Sequence, residues 1–559
     1  MDEARSQEVT LRRFRLLSVV CAVTCLFLAV RYALFAATVV SRGTHHTAIG
    51  YALASSLSLL CALAAVMLIR DCSHARAVIG FFDKRTTAVV WALYALIALP
   101  ALIFSVPEGW DEARHILYGM YLRGYSISSD SLAGMVVRSP MASLLSALVF
   151  PFTQVINPVL LAALVAVMLA WCRRYSHPAM MLFILPLFVM NDHFLQAIWA
   201  VMGELPGALF LVAAMHLLAR ERFAACAVCL GFAVLSRWNL APFALVAVLF
   251  VALRVSLRQA GVMAAIGAVI FAAWCAKTWI VAGPPLDMLK IYASNAHAYV
   301  DASGPLPGVR PTALGRLTFY GAATYFQTLP ALAAIFVSFF LPRAHLPRIA
   351  GDLLRYWIPA SLFIYFLCIT LTGGFYPRLA VVTFPLTLLL FAEVIWSARI
   401  YCVIPPRMLL PVMLLLLPLA AATGVERYDV AEMIGRKILQ PPPLPDAVVL
   451  EIRRSTTRRD IIVMPKFYKV TRHSDGRHLR VHTRRDFRFF ADPGNPPIEK
   501  IISRSLDDEI RDFEPHVEEF LAAVPQGMFF LLPAQYKDRI DQQSILFEEE
   551  GWILGKIDR

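Results

Sequence analysis

Two carboxylates and an imidazole fall within five residues of one another in Gly109-Trp110-Asp111-Glu112-Ala113-Arg114-His115, just after an apolar segment ends. Such groups move protons, and acids are costly in lipid, so paired acids at the mouth of a membrane helix define a candidate site by default. The alternative is that they simply end a helix in water. In a helix starting here, Asp111 and His115 share a face, whereas Glu112 projects about 100° away. Asp111 and Glu112 are therefore not one dyad. Asp111 and His115 together could hold a divalent cation, or His115 could orient Asp111 through a hydrogen bond. Two ligands at helical spacing are weak evidence for a metal, and the orienting role is the plainer one.

The elements that must position these groups are mostly apolar helices. The chain has 559 residues, 59% of them hydrophobic, and a mean hydropathy of +0.63, above the range of soluble globular proteins. Apolar runs near twenty residues recur to about residue 423, the signature of a polytopic α-helical membrane protein. Expected spans are 16–40, 47–69, 88–106, 157–172, 178–192, 198–219, 223–236, 239–254, 261–282, 317–341, 357–372, 378–397 and 408–423. The first follows Arg12, Arg13 and Arg15 and is too long for a signal-peptide core, so it reads as an uncleaved span. The net charge of +13 is explained by Arg-rich short loops, with no need for nucleic acid as a partner.

Lys and Arg in short loops set the orientation. Arg12, Arg13 and Arg15 place the N-terminus in the cytoplasm. Arg70, Arg76, Lys84, Arg85, Arg173, Arg174, Arg220, Arg222, Arg254, Arg258, Arg343, Arg348, Arg399 and Arg407 then fall inside as well. This agreement requires 140–156 to lie in the interface as an outer juxtamembrane helix. With thirteen spans, loops 107–156 and 283–316 and a C-terminal soluble domain, 424–559, are outside.

The outer loop 283–316 carries Lys290, Tyr292 and His297 as candidate substrate-binding groups, followed by Pro- and Gly-rich sequence that disfavours regular structure. Gly373-Gly374-Phe375-Tyr376-Pro377-Arg378 puts an Arg at the outer mouth of a span, where headgroup anchoring is the alternative role. Cys226 and Cys229 have metal-ligand spacing, but in an apolar helix without a second pair they read better as small buried residues. In the tail, 460–464 and 528–532 read as buried strands and 535–547 as a helix, giving a small α/β domain. Its basic stretch, Arg436 to Arg488, could meet anionic headgroups or a charged glycan, or be ordinary solvated surface.

The run Asp111-Glu112-Ala113-Arg114-His115-Ile116-Leu117-Tyr118-Gly119-Met120-Tyr121-Leu122-Arg123-Gly124 resembles the first outer loop of the GT-C glycosyltransferases. It is most similar to bacterial relatives of the protein O-mannosyltransferases and of the lipid A aminoarabinose transferase. Arg138-Ser139-Pro140-Met141 matches the basic residue and proline that lead into their juxtamembrane helix, with one proline where two are common. Arg173-Arg174 matches an Arg-Arg turn, and Met202-Gly203-Glu204-Leu205 an acid at an outer helix start, with Glu for the commoner Asp. Arg378-Leu379 with Pro385 matches a late Arg-led span more weakly. The resemblance covers about residues 88–400. The two spans before residue 75 and the tail are not accounted for.

The resemblance implies inverting transfer of a sugar from a polyprenyl-phosphate-linked donor to an acceptor hydroxyl at the outer face of a bacterial inner membrane. The acceptor could be a lipid, a glycan or a protein. The residues suit that chemistry independently. A carboxylate must take the acceptor's proton, and Asp111 is the choice. Arg138 and Arg378 suit the leaving phosphate, because guanidinium forks bind its oxygens bidentately. Glu204 is either a second site carboxylate or a helix-start acid. The sequence specifies no cofactor, and a divalent cation is possible. The rival readings are a transporter or flippase of a lipid-linked substrate, which predicts a repeat and midplane charges, and a non-catalytic scaffold, which leaves Asp111 without a role.

Overall fold

The computed structural model describes residues 2–41, 45–70, 85–98, 115, 119, 122, 140–149, 155–190, 194, 197–198, 202–282, 346–372, 381–402, 446–456, 462–464, 479–481, 514, 517–523, 526–527, 529–549 and 551–557. The expected spans 317–341 and 408–423 lie outside these residues.

Apolar helices dominate. In chain order they are α1 (Asp2–Ser41), α2 (His45–Arg70), α3 (Arg85–Ala98), α4 (Met141–Val149), α5 (Ile156–Tyr175), α6 (Met181–Met190), α7 (Glu204–Ala219), α8 (Phe223–Ser236), α9 (Ala241–Arg254), α10 (Leu257–Ala282), α11 (Ile358–Thr372) and α12 (Phe384–Cys402). Arg15–Thr38, Ile156–Tyr175 and Leu257–Trp279 are each long and apolar enough to cross a membrane. The nine residues of α4 rise only about 14 Å, under half of a hydrocarbon core about 30 Å thick.

Local sequence explains where several helices begin. His177 accepts a bond from the Ala179 amide at 3.2 Å and caps the turn Pro178–Met180 before α6. Ser256 accepts from the Gln259 amide at 3.2 Å, so α10 starts at Leu257, one turn before the expected 261. Residues 202 and 203 are non-helical, which moves the start of the expected 198–219 span to Glu204. Gly203 is the cap there, and Pro206 sits in the first turn, where its missing N–H leaves no bond unmade.

The main core cluster among the described residues is built from α3, α5 to α12 and the segment just before α11, with Trp171, Phe188, Phe243, Trp357 and Tyr365 almost fully buried. Cys226 lies in this core and Cys229 packs against it. Helices α1 and α2 form a separate pair, joined through the small residues Cys21, Ala22, Cys25, Cys61, Ala62 and Ala65. The Ser55 hydroxyl donates to the Ala29 carbonyl at 2.7 Å across this pair. Small residues let helix backbones approach closely in lipid, where no hydrophobic force joins them.

The C-terminal residues form a five-stranded sheet of order β2-β1-β3-β5-β4, with β1 Ile462–Met464, β2 Leu479–Val481, β3 Phe529–Pro533, β4 Ile545–Glu549 and β5 Trp552–Lys556. β2, β1 and β3 are parallel, and β5 and β4 join antiparallel. Helices α13 (Asp446–Ser455) and α14 (Val517–Ala523) accompany it. Of the expected strands at 460–464 and 528–532, the described residues form Ile462–Met464 and Phe529–Pro533. The expected helix at 535–547 does not form: two 3-10 turns, Ala534–Arg539 and Gln542–Ser544, lead into β4. Gly551, at φ +83°, turns the chain so that β4 pairs with β5, and this hairpin overrides helical propensity.

Candidate functional site

The segment that contains His115 and Gly119 is anchored to α4. His115 is helical and 5% exposed, and its Nδ1 lies 3.0 Å from the Ser143 hydroxyl of α4. One turn on, Gly119 is packed so tightly that a Cβ there would stand 2.8 Å from the Ala147 amide nitrogen, 2.8 Å from Ser146 Cβ and 2.9 Å from the Ser143 carbonyl oxygen. Only glycine permits this approach. Residues 115 and 119 therefore present one face to α4, and Asp111 precedes them at the same four-residue interval.

Five segments meet at the break between α8 and α9. There the backbone becomes extended at Arg237 (φ −153°, ψ 115°) and makes a single 3-10 turn, Trp238–Leu240. Arg237 donates through Nη2 to Glu204 Oε1 at the start of α7 in a close ion pair. The Glu204 side chain is 0% exposed and that of Arg237 is 15%. Asn239 Nδ2 donates to the Tyr365 hydroxyl of α11 at 3.1 Å. Trp238 meets Trp274 of α10 edge to face, with ring centroids 4.5 Å apart. Met141 at the head of α4 packs in the same small cluster with Leu235, Trp274 and Trp238.

The fifth segment is the 3-10 turn Val381–Thr383, which leads α12. It lies against the first turns of α7 at Gly207, where an added Cβ would meet Val382 Cγ1 at 3.1 Å, Leu240 Cδ1 at 3.3 Å and Ser236 Cβ at 3.5 Å. Small size at position 207 thus brings α7, the break and the head of α12 together.

The two ends of these helices carry charge differently. Arg173, Arg174, Arg220, Arg222, Arg254 and Arg258, near the far ends of α5, α7 and α9 and the near end of α10, are exposed. At the opposite end the charges are drawn inward: Glu204 and Arg237 pair in the packed interior, and the Lys277 ammonium of α10 is also shielded. A buried charge requires a partner, so this end is built around polar groups that the outside of the bundle does not display.

Of the residues nominated from sequence, His115 and Glu204 are placed in this region. His115 engages Ser143, and Glu204, the first residue of α7, is an ion-paired acid with no exposure. Asp111, Glu112, Arg138, Arg378, Lys290, Tyr292 and His297 lie outside the described residues. The chain nevertheless enters the described region at Pro140, two residues after Arg138, and at Val381, three residues after Arg378. Arg237, Asn239, Tyr365, Trp274 and Lys277 were not nominated. The available signal was Arg237 itself, an Arg in a turn that the positive-inside pattern puts outside, where topology has no use for it. Among the described residues no group of three or more His, Cys, Asp or Glu could hold a metal ion.

Fold and site together define a helical membrane protein with a small C-terminal α/β sheet and a polar cluster buried at one end of its helices. Two solved structures are similar to this chain. One is the crystal structure of ArnT from Cupriavidus metallidurans bound to undecaprenyl phosphate, at 12% identity over 84% of this chain and 97% of that chain, with a TM-score of 0.49. The other is the apo state of the same protein, at 11% identity over 84% and 98%, with a TM-score of 0.47. No family model matches the chain, and no curated protein does.

Proposed function

We propose that this protein is an integral-membrane inverting glycosyltransferase that moves a sugar from a polyprenyl-phosphate-linked donor to an acceptor hydroxyl at the outer face of a bacterial inner membrane. The observation that carries the reading is the convergence on the Ser236–Leu240 break. The head of α4, the Glu204–Arg237 pair and the head of α12 meet there, and His115 and Gly119 fasten the outer segment to α4. These are the segments that adjoin Asp111, Arg138 and Arg378 in the chain. A scaffold has no reason to gather them at one end.

The roles follow from the chemistry. Asp111 is the base: its carboxylate accepts the proton of the acceptor hydroxyl as that oxygen bonds to the anomeric carbon. The bond from that carbon to the phosphate oxygen breaks on the opposite side, and its electron pair leaves with the lipid phosphate. Arg138 and Arg378 take the growing charge on that phosphate. His115, fixed by Ser143, positions the turn that carries Asp111, and Glu112 orients or caps. Lys290, Tyr292 and His297 serve the substrate from the loop 283–316. A divalent cation, if used, would sit at Asp111 and His115.

The topology belongs to the same proposal. Residues 1–423 form a thirteen-span catalytic module with a cytoplasmic N-terminus, and 424–559 form a soluble domain on the periplasmic side. The exposed arginines at one end of α5, α7, α9 and α10 and the buried pair at the other support this orientation. The test is mass spectrometry of envelope glycolipids, polysaccharides and glycoproteins with and without the gene. Loss of one sugar from one acceptor class is expected. An unchanged sugar profile with accumulation of a lipid-linked sugar on the cytoplasmic leaflet would instead make the protein a flippase.

A further inference from the structure

We propose that Arg237 and Asn239 hold hydroxyl groups of the transferred sugar, at the break between α8 and α9. This rests on the transferase reading above and names the part of the substrate that the break takes. The Arg237 Nε and the Asn239 Oδ1 are both shielded from solvent and meet no hydrogen-bond partner among the described residues. Each side chain is already held by another of its atoms: Arg237 donates through Nη2 to Glu204 Oε1, and Asn239 donates through Nδ2 to the Tyr365 hydroxyl at 3.1 Å. Neither can turn to find a new partner without breaking a bond it has. Shielded polar atoms left unpaired are rare and costly, so two of them on either side of Trp238 call for a ligand.

The pair is one donor and one acceptor, and that selects the chemistry. The Arg237 N–H only donates, and the Asn239 carbonyl oxygen only accepts. A hydroxyl group accepts from the first and donates to the second, or two neighbouring hydroxyls divide the task. A phosphate oxygen only accepts, so it would satisfy Arg237 and leave the Asn239 oxygen unpaired. Trp238, between the two, is half-buried and packs edge to face on Trp274. A sugar has the matching outline, with hydroxyls at its rim and C–H groups on its faces. Arg237 and Asn239 are likewise partly exposed, so the shielded atoms lie just beneath an accessible edge. Position agrees with the chemistry. In the transferase reading the sugar is bonded directly to the phosphate that Arg138 and Arg378 take. Their segments come to the break as Met141, which packs with Trp238, and as Val382, which with Leu240 closes on Gly207. A group one bond from that phosphate belongs where these segments meet.

The experiment uses the full-length protein in nanodiscs and compares bare undecaprenyl phosphate with the same lipid carrying glucose, galactose, mannose or arabinose. Binding is measured by native mass spectrometry and by quenching of tryptophan emission. The wild type should bind at least one of the four sugar lipids at least tenfold more tightly than the bare lipid. Asn239→Leu keeps the size and lacks both amide atoms. It should lower that preference by about tenfold, the loss expected for a hydroxyl without its partner, and leave binding of the bare lipid unchanged. Arg237→Lys keeps a cation for Glu204 but has no N–H at the Nε position, so it should lower the preference too. It carries the test alone if Asn239→Leu fails to accumulate. Tyr365→Phe removes the bond to Nδ2 and leaves the Arg237 Nε and the Asn239 Oδ1 in place, so it should keep most of the preference. Wild-type preference in the Asn239 and Arg237 variants that accumulate, or an equal loss in Tyr365→Phe, would overturn this assignment and leave the transferase reading standing. So would a wild type that binds all five lipids alike, the result expected if an ordered water satisfies the two atoms. A wild type that binds none of them would overturn both.

Discussion

Replacing Gly119 with alanine tests how the segment around His115 and Gly119 is held. The new Cβ would stand 2.8 Å from both the Ala147 nitrogen and Ser146 Cβ, and 2.9 Å from the Ser143 oxygen, whereas ordinary contact begins at 3.4 Å. The two helices must therefore separate by roughly 0.6 Å or more, because two of the three contacts are backbone and cannot rotate away. Alanine gains about 1 kcal/mol over glycine in a helix, and overpacking costs about 1–3 kcal/mol. Net stability should thus fall by at most about 2 kcal/mol, and the protein should accumulate. Turnover should suffer far more, since a shift near 1 Å in a reacting group can cost about a hundredfold. The expected result is a ten- to hundredfold loss of sugar transfer per molecule in membrane vesicles. Ser146→Gly in the same background relieves one contact of three and should recover little. Leu122→Ala, at a position 37% exposed, should leave turnover near wild type. Gly119→Ala protein working at the wild-type rate would refute the idea that this helix contact positions the base.

Three further outcomes follow from the same geometry. Arg237→Met leaves a fully buried carboxylate without its cation and should cost about 3–5 kcal/mol in a reversible detergent unfolding assay, while Glu204→Leu with Arg237→Met should recover most of that loss; two independent, additive losses would show the pair is not coupled. Arg138→Ala and Arg378→Ala should each reduce transfer strongly with little effect on accumulation, and lysine should restore only part of it; normal turnover in both alanine variants would remove them from the site. Reporter fusions at Ser176 and Asp446 should read cytoplasmic and periplasmic respectively, and a periplasmic signal at Ser176 would mean that 140–156 spans.

Much of the helical part was legible because a bilayer imposes its length on local sequence. α8 occupies the very residues expected, 223–236, since Arg222 and Arg237 bracket an uninterrupted apolar run. The errors arose where tertiary contacts decide. Residues 545–547 carry apolar side chains that suit either state, and only the Gly551 turn and the waiting strand β5 make them a strand. A connection was legible at 237–238, but not its extension through Leu240 as a 3-10 turn, nor its place as a hub. Glu204 and Arg237 are 33 residues apart and Asn239 and Tyr365 are 126 apart, and no periodicity links partners across such intervals. Gly119 was visible in the motif, yet its reason, the backbone of α4, is not written near it in the chain.

The central claim is that Asp111 is the base of a sugar transfer, and Asp111→Asn measures it most directly. Asparagine keeps size and hydrogen bonding but cannot accept a proton, so transfer should fall at least about a hundredfold in membranes supplied with the carrier-linked sugar. Insertion and accumulation should be normal. Glu112→Gln should cost less, and His115→Ala should fall between the two. An Asp111→Asn protein that transfers sugar at the wild-type rate would contradict the mechanism.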